Sequence, residues 1–108
     1  MTTIQISDFR LSATGHTGYG KAGEDIVCAA VSTLTQVLAK QVCDAADKGW
    51  LTRPPVVIIR HGNVQIRCRP KRMYRAEMAY LWQAIGDGLS MVAHAYPNHV
   101  VIKSGKSD

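Results

Sequence analysis

Ile4 and Ile6 alternate with polar neighbours, and Phe9, Leu11 and Ala13 do the same in the other phase. Alternation of period two places apolar side chains on one face of a strand. The phase changes at Ser7-Asp8, which predicts a tight turn and makes residues 4–13 a short hairpin. The following run, Gly15-His16-Thr17-Gly18-Tyr19-Gly20-Lys21-Ala22-Gly23, carries four glycines in nine residues. Such a run predicts a mobile loop with unusual backbone angles.

The period then changes to that of a helix. Glu24 and Asp25 suit a helix N-terminus, where the dipole is positive. Ile26, Ala30, Leu34, Val37, Leu38 and Val42 keep a helical spacing, and Gly49 supplies a C-terminal cap after Lys48. Val56-Val57-Ile58-Ile59-Arg60 is a β-branched strand, His61-Gly62-Asn63 a turn, and Val64-Gln65-Ile66-Arg67-Cys68-Arg69 an alternating strand that Pro70 stops. A second helix is predicted over residues 74–94, with Met78, Leu81, Ile85, Leu89 and Val92 on one face and Gly86 and Gly88 weakening its middle. Pro97-Asn98 turns the chain into a short last strand, Val100-Val101-Ile102. The order hairpin, helix, hairpin, helix, strand predicts an α+β fold, a mostly antiparallel sheet with two helices packed on one face. Residues 1–103 read as one domain and residues 104–108 as a polar tail.

The length of 108 residues fits that single domain, and 46% hydrophobic with 19% charged residues is the composition of a soluble globular chain. Uninterrupted apolar runs are too short for a membrane span, and the N-terminus has no secretory pattern. A cytoplasmic location without a membrane partner is the expectation. Cys28, Cys43 and Cys68 are three in number and form no CxxC pair, which argues against a disulfide framework and a zinc site. No cofactor motif is present. The net charge is +5, and Arg67, Arg69, Lys71, Arg72 and Arg75 carry much of it. This segment is either a solvated face or a patch for RNA or an acidic partner, and it leaves a nucleic-acid partner open. The scattered aromatic residues give no support for stacking on single strands.

Cys28 is predicted in the first turn of the first helix. A helix N-terminus favours a thiolate, and its unpaired N–H groups are donors for an oxyanion. His16, early in the glycine-rich loop, is placed to reach across the helix end. A Cys–His pair is the minimal unit of thiol acyl chemistry. The plain alternative is that Cys28, between Val27 and Ala29, is a small core residue. Asp25 and Ser32 share the helix face of Cys28. Asp25 is equally readable as a helix cap, and Ser32 as a hydroxyl bonded to the helix backbone. His61, His94 and His99 read as turn and helix-end residues, and Cys43 and Cys68 as structural.

Gly15-His16-Thr17-Gly18-Tyr19 followed by Gly23-Glu24-Asp25-Ile26-Val27-Cys28-Ala29-Ala30-Val31-Ser32 closely resembles the signature of the ribosomal-processing cysteine protease family, Prp. The resemblance implies a peptidase that removes a short N-terminal extension from a bacterial large-subunit ribosomal protein, cutting after an aromatic-rich apolar stretch. It implies a homodimer, with Cys28 as nucleophile and His16 as general base. Asp25 and Ser32 become supporting residues. Gly15, Thr17, Gly18, Tyr19, Gly20 and Gly23 belong to a mobile cover over the peptide. Against the family pattern the first hairpin is short, Thr17 stands where alanine is common, and the C-terminal half carries no matching motif. Two rival readings remain: a non-enzymatic ribosome- or RNA-binding module using residues 67–75, and a thiol hydrolase of small acyl compounds.

Overall fold

The structure is a computed structural model. It describes the backbone of residues 1–15 and 22–104, and the side chains of these except 22–25 and 104. Among the described residues the elements are β1 (Thr2–Ser7), β2 (Arg10–Thr14), α1 (Ala22–Asp47), β3 (Val56–Arg60), β4 (Asn63–Arg67), a 3₁₀ turn (Arg72–Tyr74), α2 (Arg75–Ala95) and β5 (Val100–Ser104). The predicted order is the observed order. The strands form one sheet in the order β3-β4-β2-β1-β5. Three ladders are antiparallel, and β5 lies parallel to β1 at one edge.

The β1–β2 turn consists of Asp8 and Phe9, with φ of 47° and 63°. Two positive φ angles in a two-residue turn match the right-handed twist of the flanking strands. The second hairpin turns at His61-Gly62, where glycine adopts φ 79°. Gly49, as expected, follows α1 with φ 77°, and Trp50 N–H returns to the Ala45 carbonyl.

Period-two alternation sends Ile4, Leu11, Ala13 and Ile66 to one face of the sheet, and Val100 of β5 joins them. Against that face pack Val27, Val31, Leu38 and Val42 of α1 and Met78, Trp82, Ile85 and Leu89 of α2. Each fully buried aliphatic side chain contributes on the order of 2 kcal/mol of transfer free energy. Leu38 and Val42 are buried as the spacing predicts, but in the N-terminal half of α1 the buried stripe sits one residue later. Val27 and Val31 are buried, whereas Ile26 and Val37 are exposed. Two apolar stripes lie side by side on this helix, and only contact with the sheet decides between them. By length and composition Ile26–Asp47 is able to cross a bilayer. Its inner stripe instead belongs to this core. On α2 the structure adds Trp82 to the predicted face, and Gly88 has a packing reason: a Cβ there would stand 3.1 Å from Leu34 Cδ2.

Candidate active site

α1 begins at Ala22, two residues earlier than expected. Gly23, predicted in the loop, is therefore part of the helix. Cys28 falls in the second turn, not the first. The helix dipole acts mainly within the first turn, so the unpaired N–H groups lie one turn before the thiol. Helical side chains lean toward the N-terminus, which turns Cys28 back toward those groups.

Cys28 is exposed, so the reading of it as a core residue does not hold. It lines a cleft of about 330 Å³ with Val31, Ser32 and Thr35 of α1, Ala13 and Gly15 of β2 and its end, and the tip of the β3–β4 hairpin from Ile59 to Val64. Cys28, Ser32 and Thr35 lie four and three residues apart and form a small polar stripe on that wall. Gln36 Nε2 donates to Ser32 Oγ at 2.8 Å. The hydroxyl that bonds back to the helix backbone is Thr35's, which donates to the carbonyls of Val31 and Ser32. Ala13, Val31, Ile59 and Val64 supply an apolar lining. Thr2 joins the wall, and its N–H donates to the His99 carbonyl at 2.8 Å.

Gly15 closes one end. Its N–H donates to the Gly62 carbonyl at 3.1 Å, and its φ is 98°. A Cβ at this position would collide with the Met1 carbonyl oxygen. Of the other predicted site residues, His16, Thr17, Gly18, Tyr19 and Gly20 lie outside the described residues. Asp25 is placed on α1 by its backbone, and its side chain also lies outside them. His61, read from the sequence as a turn residue, stands in the cleft with Cys28. Ile59, Asn63, Thr2 and Thr35 carry no motif and come together only through the fold.

The other two cysteines are set apart from this cleft. Cys43, expected among core positions, is exposed on α1. Cys68 lies just past β4 and packs against the core. Burial pushes its thiol up, and the nearby Trp82 indole N–H opposes this only weakly. That buried N–H has no partner of hydrogen-bond geometry among the described residues, so burial prevails.

The fold recurs in solved structures. The SMU.848 protein of Streptococcus mutans superposes with a TM-score of 0.68 at 27% identity, over 95% of this chain and 90% of that one. The essential ribosomal processing protease Prp of S. aureus, in complex with a covalently linked product peptide, superposes at 0.63 with 20% identity, over 95% and 96%. Its complex with a substrate peptide gives 0.63 at 19% identity, over the same shares. No curated protein matches the sequence. The profile of the cysteine protease Prp family covers residues 1–101. A match over nearly the whole chain, with a cysteine-bearing helix beside a cleft, places this protein in the Prp family of cysteine proteases.

Proposed function

We propose that the protein is an endopeptidase that removes a short N-terminal extension from a large-subunit ribosomal protein of its bacterium, or from a protein with a similar cleavage motif. Cys28 is the nucleophile and His16 the general base. The observation that carries this reading is the exposed Cys28 thiol in a cleft with both a polar stripe and an apolar lining. The Cys28 sulfur attacks the scissile carbonyl carbon, and His16 takes the thiol proton. The tetrahedral oxyanion is received by the N–H groups at the start of α1. Collapse breaks the C–N bond, His16 returns the proton to the leaving amine, and a thioester remains. Water, deprotonated by the same imidazole, then releases the carboxylic acid and restores the thiol.

A peptide substrate is favoured over a small acyl compound by β3. It is an edge strand of the sheet, and its last residues, Ile59 and Arg60, line the cleft. An extended peptide can pair with such an edge and reach Cys28. Ala13, Val31 and Val64 are suited to the apolar residue before the cut. Asp25 and Ser32 support the site from the same helix. A non-enzymatic module is disfavoured by the family membership and by the exposed thiol.

The enzyme acts as a homodimer in the cytoplasm. On the outer side of the helices Ile26 and Val37 of α1 and Tyr80 and Met91 of α2 stay exposed, with Tyr80 at 82%. Large apolar surface of this kind suits contact with a second copy. The test of the proposed reaction is incubation with the host's unprocessed ribosomal protein, followed by mass spectrometry of its N-terminus. A single new N-terminus after an aromatic-rich stretch is expected; an intact substrate rejects the assignment.

A further inference from the structure

A second cavity, of about 440 Å³, lies at the far end of the strands and is lined by Arg10, Arg53, Arg67, Arg69 and Arg75, with Asp8 as the one carboxylate among the described lining residues. The Cys28 cleft is at the Asn63 end of β4, where Arg60 and Thr14 are the ladder partners. Arg67 is four residues further along, about 13 Å at the rise of a strand. The arginine cavity is thus separate from the cleft, and Arg60, on the open sheet face, also stands at the rim of the cleft.

Arg10 and Arg67 are directly opposed across the β2–β4 ladder. Like charges so placed repel, and among the described residues neither is paired with a carboxylate. Arg75 is held over the Phe9 ring, 5.4 Å from its centroid, and that ring packs edge-on against Trp82. The positive charge continues beyond the cavity. The sheet face away from the helices carries Arg10, Arg60 and Arg67, and Lys103 beside Gln5. Of the carboxylates with described side chains, Asp8 lines the arginine cavity from the first turn, and Asp44 and Asp47 on α1 and Glu77 and Asp87 on α2 lie off the open sheet face. The open sheet face therefore has cations at both edges and at one end, and no described carboxylate.

We infer that this arginine cavity and the open sheet face bind the phosphate backbone of a nucleic acid, independently of base sequence. Guanidinium forks match phosphate geometry, and five of them around one cavity leave a strong unmet positive potential. Between the cations stand Gln5, Ser12 and Gln65, which offer hydrogen bonds to sugar and phosphate oxygens. Apolar side chains are present, with Pro54, Val56 and Pro70 in the cavity wall and Ile58 opposite Gln65, but they are half-buried or interleaved with five guanidinium groups, so charge and not apolar burial dominates this surface. Aromatic rings are absent from the described open face, so base stacking does not contribute. This site is independent of the cleavage assignment.

The test is fluorescence anisotropy with a labelled 20-nucleotide RNA and DNA of the same sequence, between 50 and 200 mM salt. Binding to RNA or to both is expected, with a log–log salt slope near −3 for about four phosphates. Arg10→Gln with Arg67→Gln, and separately Arg53→Gln with Arg69→Gln, should each weaken binding about tenfold and flatten the slope by about 1.4. Cleavage of a short neutral peptide should be unchanged in both. Equal affinity for the two nucleic acids indicates phosphate contacts alone; preference for RNA adds contacts to the ribose hydroxyls. Absence of binding at 50 mM salt overturns the inference. So does an equal loss in Lys40→Gln with Lys48→Gln, which would reduce the effect to net charge. Tighter binding to a polyglutamate peptide than to either nucleic acid would assign the surface to an acidic protein instead.

Discussion

Gly15 donates its N–H to the Gly62 carbonyl at 3.1 Å, and this one bond joins the end of β2 to the turn of the β3–β4 hairpin beside Cys28. Gly15 holds φ 98°, with the Met1 carbonyl where a Cβ would be. Gly15→Ala must strain the backbone and displace the N-terminal residue. We expect a loss of about 2 kcal/mol or more, seen as a fall in Tm of several degrees, with reduced cleavage. A variant as stable and as active as the parent would mean that the cleft does not depend on this tie.

Cys28→Ala should abolish cleavage and leave Tm within a degree or two, because an exposed small side chain is exchanged for a smaller one. Circular dichroism melting and a peptide cleavage assay check both halves. Retained activity would remove Cys28 from the mechanism.

Two histidines compete for the role of base. His16→Ala should lower turnover by about two orders of magnitude or more and erase the near-neutral limb of the pH profile. His61→Ala, at the rim of the same cleft, should change KM more than kcat. The reverse pattern would make His61 the base.

The three thiols should separate in alkylation. Burial favours the protonated form of Cys68, and the thiol is less nucleophilic than the thiolate. Its labelling at pH 7.5 should be slow and rise only well above the ordinary thiol range. Exposed Cys28 and Cys43 react sooner, and Cys28, served by its base, reacts first. Time-resolved peptide mapping with iodoacetamide measures this order; Cys68 labelling as fast as Cys43 would contradict its burial.

Much of this fold was legible because its elements are locally consistent. The alternation from Val64 to Arg67 and the cap at Gly49 each specify their element without help from the rest of the chain. What the sequence left open depends on distant partners. Ile26 and Val27 are equally good core candidates until the sheet selects Val27. The parallel pairing of Thr2 with Val100 joins the two ends of the described chain. Cys43 matches a core pattern and still faces solvent. In the cleft, Cys28 and Ser32 stand out in the sequence through a contiguous motif. Thr2, Thr35, and Ile59 with His61 come from three separate segments, and only tertiary structure gathers them. The five arginines of the second cavity are similarly scattered; the sequence hinted at the run from Arg67 to Arg75 and not at Arg10 or Arg53.

The most direct measurement is the site of covalent capture. A chloromethyl ketone on a peptide that ends in the apolar stretch proposed to precede the cut alkylates the attacking thiolate and expels chloride. After digestion with trypsin, the adduct mass should appear on the peptide of residues 22–40, which carries Cys28. Labelling should parallel loss of activity, and prior incubation with uncleavable substrate should slow it. An adduct on Cys43 or Cys68 accompanied by inactivation, or full cleavage by protein already alkylated at Cys28, would contradict the assignment of Cys28 as nucleophile.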